Sequence, residues 1–189
     1  MVHTFTTKIN GHPWAMRKSI HGPADGSFED FWEGLGVNHA VHESQYIPMI
    51  QKASLVTMIE PGTCEVWNLY YNLSPVLQKR SFTVLIVTHL EPASETNPLR
   101  QGWVVSIPFD PSSDPELAAM EEKGVKARYL SVERIQETVD GKVDWRMATC
   151  SDVGGIIPEF VAAATTPKQI AHDVDHFLKF IKTRRSERR

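Results

Sequence analysis

The chain has 189 residues, 41% of them apolar and 23% charged, which suits one folded domain and excludes both wholesale disorder and two ordinary domains. No run approaches the ~18 to 20 apolar residues of a membrane-spanning helix, and the first ten residues lack the apolar stretch of a secretory signal. The net charge of −3 divides into +5 over residues 179–189 and −8 elsewhere, and an acidic body argues against nucleic acid as a partner.

The opening residues read as strand or loop. Ser27 is a good N-cap before Phe28, Phe31 and Trp32, and Gly34 and Gly36 end that short helix. A second helix is expected over residues 39–50, with Pro48 near its end. From residue 53 the texture becomes β. Strands are expected over residues 55–60, 63–73, 80–90 and 102–109, with breaks at Pro61-Gly62 and Ser74-Pro75. On the last of these, Trp103, Val105, Ile107 and Phe109 share one face. Residues 110–124 form a long interruption, with a short helix near Leu117, and such loops are usually functional. Residues 125–139 and 142–153 read as a long hairpin closed at Asp140-Gly141. A short helix over residues 158–164 is followed by Thr166-Pro167, an N-cap and first-turn pair. Ile170, Ala171, Val174, Phe177, Leu178 and Ile181 then make one apolar stripe on a helix of about 17 residues, spanning 166–183.

Consecutive strands with tight turns make a meandering antiparallel sheet. The long helix must bury its stripe on the sheet's curved face, and one helix across a large sheet leaves an apolar cavity. The architecture expected is an α+β helix-grip fold, a curved antiparallel sheet of about seven strands wrapped on the C-terminal helix. It forms a single domain over residues 1–183 with a basic tail over 184–189. The two cysteines, Cys64 and Cys150, fit a reducing compartment, so a cytoplasmic location is expected.

Several segments resemble fungal proteins with a START-like domain, part of the superfamily that also holds the birch-pollen allergens. They are Trp14 with Arg17 to His21, Gly34-Leu35 through Asn38 to Glu43 and Tyr46-Ile47, and Ser74-Pro75 through Arg80 to Phe82. Further on come Ser131 to Ile135, Met147 to Pro158, and Asp173-Val174 to Phe177. The resemblance implies a cavity for a lipid or other hydrophobic small molecule, without naming it. It also leaves open a polyketide cyclase or aromatase-like enzyme in the same cavity.

The ligand's polar end needs a partner inside, because a desolvated polar group without one is costly. Either Glu133 or Arg134 points inward by strand alternation, and Arg134 is favoured as the head-group anchor, with Arg80 and Arg146 as further candidates. Tyr129, Trp67, Trp103, Phe109, Trp145 and Phe177 supply aromatic surface to the cavity. His42 belongs with His39 and Glu43 on one helix face. That order, H-x-x-H-E, matches neither zincin spacing, so a polar role is expected and no metal or other cofactor. For the enzyme alternative, His39, His42, Glu133, Asp152 and Tyr129 are the acid–base candidates. The segment 110–124 is expected to gate the cavity, and the basic tail to touch anionic membrane transiently.

Overall fold

The computed structural model describes residues 1–74, 76–155 and 159–188. Its strands are β1 Val2–Ile9, β2 His12–His21, β3 Ile50–Glu60, β4 Cys64–Tyr71, β5 Arg80–Glu91, β6 Gln101–Pro108, β7 Val125–Glu137 and β8 Val143–Asp152. The helices are α1 Phe28–Leu35, α2 His39–Tyr46, α3 Pro115–Ala119 and α4 Glu159–Glu187. Among the described residues eight strands form one sheet in the order β1-β2-β8-β7-β6-β5-β4-β3, one strand more than the sequence suggests. The difference is that the opening stretch forms two strands, the β1–β2 hairpin, whose Asn10 and Gly11 both take positive φ, 52° and 83°, as a two-residue hairpin turn requires.

The β3 to β8 run is an antiparallel meander, and β2 returns to pair with β8. Beyond the end of β6, β5 and β7 pair directly and in parallel over Arg80–Phe82 and Val125–Ala127, which tightens the curl of the sheet there. Gly124 makes that approach possible, because a Cβ on it would lie 2.8 Å from the carbonyl oxygen of Lys79.

Helix α1 begins on a capping box: the Ser27 side chain and Asp30 each accept from the other's backbone amide. Helix α2 stops at Tyr46, short of residue 50, because Ile47 turns extended ahead of Pro48. At the other end of the chain, α4 runs unbroken through Pro167. The expected start at Thr166-Pro167 is therefore an internal position, where proline removes one backbone donor. The Ser74-Pro75 break and the start of the short helix at Pro158 fall partly on residues outside those described.

Ile170, Val174, Phe177 and Ile181 of α4 are buried against the sheet's inner face, with Leu69, Phe82, Val84, Ile86, Val104, Ile135 and Trp145 in the same core. Helices α1 and α2 pack against the C-terminal part of α4 and complete this end. Among the described residues no helix is long and apolar enough to cross a membrane.

Candidate functional site

Strand β2 presents Ala15, Arg17, Ser19 and His21 to the inside, and all four are buried. Arg17 is 1% exposed. Its Nη2 donates to Glu133 Oε1 of β7 at 3.0 Å, and its guanidinium lies 3.7 Å above the ring of Trp145 on β8. Trp145 in turn rests on Phe177 of α4, with ring centroids 4.9 Å apart. Burial lowers the Arg17 pKa and neighbouring Glu133 offsets part of this, so the guanidinium stays charged at any working pH.

The pair is only half satisfied. Arg17 Nε and Nη1, Glu133 Oε2 and Glu43 Oε2 are buried and lack hydrogen-bond partners among the described residues. Buried polar atoms nearly always have a partner, so these four, with Trp145 Nε1 beside them, stand out in the interior. Glu43 comes from α2, where His39 stands 3.8 Å away. Desolvation raises the Glu43 pKa.

Asp173 approaches from α4. Burial pushes its pKa to about 7, against the pull of Arg17, with Glu43 and Glu133 adding to the rise. Tyr71 and Tyr129 lie deep enough that desolvation lifts their hydroxyl pKa well above 10. Yet Tyr71, Tyr129, Met147 and Asp173 all keep accessible surface. Deep side chains with accessible surface border an internal space. We call the space beside Glu43, Tyr71, Tyr129, Met147 and Asp173, with the Arg17–Glu133 pair packed behind it, the chamber.

A cleft of about 570 Å³ leads toward it. Thr6, Lys8, Pro13, Trp14, Ala15, Thr149 and Ser151 form the sheet side, and Ala163, Ala164, Thr166 and Pro167 of α4 the other. Ala15 lies two residues before Arg17 on the same face, roughly 7 Å along the strand. Met147 pairs with Arg17, and Thr149 with Ala15, so the cleft wall continues inward to the chamber.

The residues expected from the sequence divide between the two faces of the sheet. Glu133, Tyr129 and Trp145 meet at the chamber, and Phe177 supports Trp145 from below. Arg134 does not: alternation with inward Glu133 puts it on the outer face, in register with Trp103 and Arg146, its guanidinium 5.9 Å from the Trp103 ring. Its expected inward placement is corrected accordingly. Arg146 is likewise outside, bonded to Asp144 through Nε at 2.9 Å and Nη2 at 2.7 Å. Trp103 shares that outer face, while Phe109 lies past the end of β6, its amide bonded to Thr83. Trp67 faces inward but donates to Glu65 Oε2 and packs beside α2, away from the chamber. Arg80 is buried, and its guanidinium binds the carbonyls of Gln78 and Val153 at the strand ends. His42 turns toward the C-terminal part of α4, accepting from Arg184 at 2.7 Å and stacking on Phe180, while desolvation and Arg184 hold its pKa down.

Residues 110–124 do not cover the cleft. Glu122 donates its amide to Asn68, and Tyr70 donates to the Lys123 carbonyl, which fixes the segment to the outer face of β4. Of the tail, Arg185 meets Asp30 at 3.5 Å and Arg188 meets Glu33, so both are engaged with α1.

The sequence reading missed Arg17, Glu43, Tyr71, Met147 and Asp173 as site residues. Two signals were present: a charged residue on the apolar stripe of α4, between Ile170 and Phe177, and a strand whose small and polar residues alternate with Met16 and Ile20.

A family model described as a protein of unknown function, DUF3074, matches residues 14–181. The chain belongs to the DUF3074 family. It is similar to the uncharacterized protein C577.11 of Schizosaccharomyces pombe, 26% identical over 170 residues, which cover 87% of this chain and 66% of that one. The chain thus spans slightly under two thirds of its relative. Among solved structures, human StAR-related lipid transfer protein 5 matches with a TM-score of 0.72 at 13% identity, covering 96% of this chain and 82% of that one. The lipid transfer and protein localization domain of human StarD13 matches with a TM-score of 0.67 at 14% identity, over 93% and 84%. A STAR-related lipid transfer protein of Xanthomonas axonopodis gives 0.67 at 14%, over 96% and 93%. At these identities the likeness establishes the fold, a START-like helix-grip.

Proposed function

We propose that this DUF3074 protein binds a lipid or other hydrophobic small molecule, with the apolar body in the cleft under α4 and the polar end in the chamber, and that it acts in the cytoplasm. The observation that carries this reading is the cleft of about 570 Å³ between the sheet and α4, whose wall follows β2 and β8 toward the chamber. The solved relatives named for lipid transfer support the same reading. Transfer would add transient contact with anionic membrane through the basic tail, in competition with the contacts of Arg185 and Arg188 to α1.

Native mass spectrometry of the purified protein tests the binding claim. The expected result is a co-purified apolar molecule, lost in an Ala163→Phe variant that narrows the cleft. A bare protein mass, together with no uptake of a long-chain fluorescent probe, would contradict it.

One observation favours a second reading. A carboxyl group with a pKa of about 7, as Asp173 has, suits general acid–base chemistry at neutral pH. A cyclase-like enzyme would use Asp173 with Tyr71 or Tyr129 at hand. It predicts chemical change in a bound polyketide-like substrate, abolished by Asp173→Asn; simple binding predicts release of the ligand unchanged.

A further inference from the structure

The two edges of the sheet are finished differently. The β3 edge is irregular: its pairing with β4 shifts at three places, and its Lys52 is tied to Glu122. Bulges of this kind keep other strands away from an edge. The β1 edge has no such break. Its register with β2 runs from Val2 to Ile9 without a shift, it holds no proline, and His3 to Ile9 are all exposed, Phe5 by 51%. Its one strand neighbour is β2. We infer that β1 pairs with β1 of a second copy of this chain, antiparallel about a two-fold axis at Phe5, so that two eight-stranded sheets become one.

The turn sets which backbone groups are free. A two-residue turn makes Ile9 and His12 a hydrogen-bonded pair, and such pairs alternate along the hairpin. The amides and carbonyls of His3, Phe5, Thr7 and Ile9 therefore turn to β2, and those of Val2, Thr4, Thr6 and Lys8 turn to the free edge. With the axis at Phe5, Thr4 of one copy bonds Thr6 of the other, and Val2 bonds Lys8. All of the free groups on both strands are then used. An axis at Thr4 or at Thr6 leaves one hydrogen-bonded pair fewer.

The side chains suit the same register. Phe5 faces Phe5 of the second copy in a non-hydrogen-bonded pair, where side chains come closest, and aromatic pairs and threonine pairs are both favourable across strands. The two Lys8 residues lie at opposite ends of the ladder, each beside Val2 of the other copy, so no like charges meet. This self-complementarity points to a second copy rather than an unrelated strand. The contact is isologous and leaves only the irregular β3 edges outside, so it closes at a dimer. Thr6 and Lys8 also line the cleft under α4. In the pair, Thr4 and Val2 of the second copy stand beside them on the same face and extend the sheet side of the cleft.

Sedimentation velocity tests the pairing on the wild-type chain between ~1 and ~100 µM, the range in which a contact this small is expected to associate. The expected result is a shift from monomer to dimer mass. Thr6→Pro removes a donor that faces the free edge and not β2, a place where an edge strand tolerates proline. Phe5→Lys sets two ammonium groups opposite each other at the axis. Each should weaken the dimer at least ~10-fold while thermal melts stay close to wild type. Phe5→Cys should give a disulfide-linked dimer on mild oxidation, because Cα atoms in such a pair lie roughly 4.5 Å apart, within disulfide reach. Thr7→Cys, which faces His3 of the second copy, should not. If Thr6→Pro fails to fold, Phe5→Lys and the two cysteine variants decide. A monomer at the highest concentration, with Phe5→Cys linked no more readily than wild type, overturns the inference. So does a dimer that persists in both Thr6→Pro and Phe5→Lys, and so does linkage at Thr7→Cys equal to that at Phe5→Cys.

Discussion

The two ends of α4 meet the same sheet in opposite ways. Toward the C-terminus the fit is tight: Phe177 is fully buried between Phe31, Tyr46 and Trp145, and a Cβ on Gly34 would come within 2.7 Å of its ring. Toward the N-terminus the helix carries Ala163, Ala164 and Thr166 over the cleft, and Pro167 interrupts its hydrogen bonding. Large side chains close one end and small ones leave space at the other. The chamber lies between, where Asp173 replaces an apolar residue on the stripe. One helix thus serves as both clamp and roof, and the change in side-chain size along it decides where a ligand can sit.

The largest effect is expected at the clamp. Phe177→Ala should destabilise by about 4 kcal/mol, measured by chemical denaturation, because its ring touches four other aromatic rings and leaves a cavity that cannot collapse. Ala163→Phe over the cleft should change stability by under ~1 kcal/mol, since space already exists there. Equal losses at the two positions would erase the contrast.

Arg17→Met should destabilise by about 3 kcal/mol, because Glu133 would be left buried without its partner. Adding Glu133→Leu should recover much of that loss. If the double variant is as unstable as the single one, Arg17 matters for packing on Trp145 rather than for charge.

Asp173→Asn should act through pH. The folded pKa of about 7 lies above the ordinary value of 3.8, so the folded state binds the extra proton between these pH values. The protein therefore loses stability as pH rises from about 4 through 7. The asparagine variant should equal wild type near pH 4 and exceed it at pH 8 by about 2 kcal/mol, the full shift being discounted for the residue's accessible surface. Melting curves across pH check this; a gain that is the same at both ends would show that charge is not the cause.

The smallest effect belongs to the outer face. Arg134→Met should shift stability by no more than about 0.5 kcal/mol, since Arg134 stands half-exposed beside Trp103.

The fold was legible because periodicity carries it: the apolar stripe of α4, the Asp140-Gly141 hairpin and the apolar β5 all survive in the structure. The site was less legible because the usual rule reverses around the chamber. On β2, Met16 and Ile20 are 36% and 43% exposed while Arg17, Ser19 and His21 are buried. On β7, Leu130, Val132 and Arg134 face outward and Ser131, Glu133 and Ile135 inward. Apolar count favours the wrong face on β2, and on β7 it does so locally around Leu130 and Val132; a strand assigned one residue out turns every side chain to the opposite side. That is why Arg134 reads as inward in the sequence, whereas Arg17 is the arginine buried beside Glu133. The Asn10-Gly11 turn, by contrast, was a plain hairpin signal that adds the eighth strand.

The most direct test of the chamber is methyl NMR of the methionines. Met147 borders the chamber, opposite Arg17 in the strand register, whereas Met16, Met58 and Met120 are exposed. Titrating a long-chain alcohol should shift the Met147 methyl signal saturably and leave those three in place. Shifts confined to the exposed methionines, with Met147 unmoved, would contradict a ligand-receiving interior.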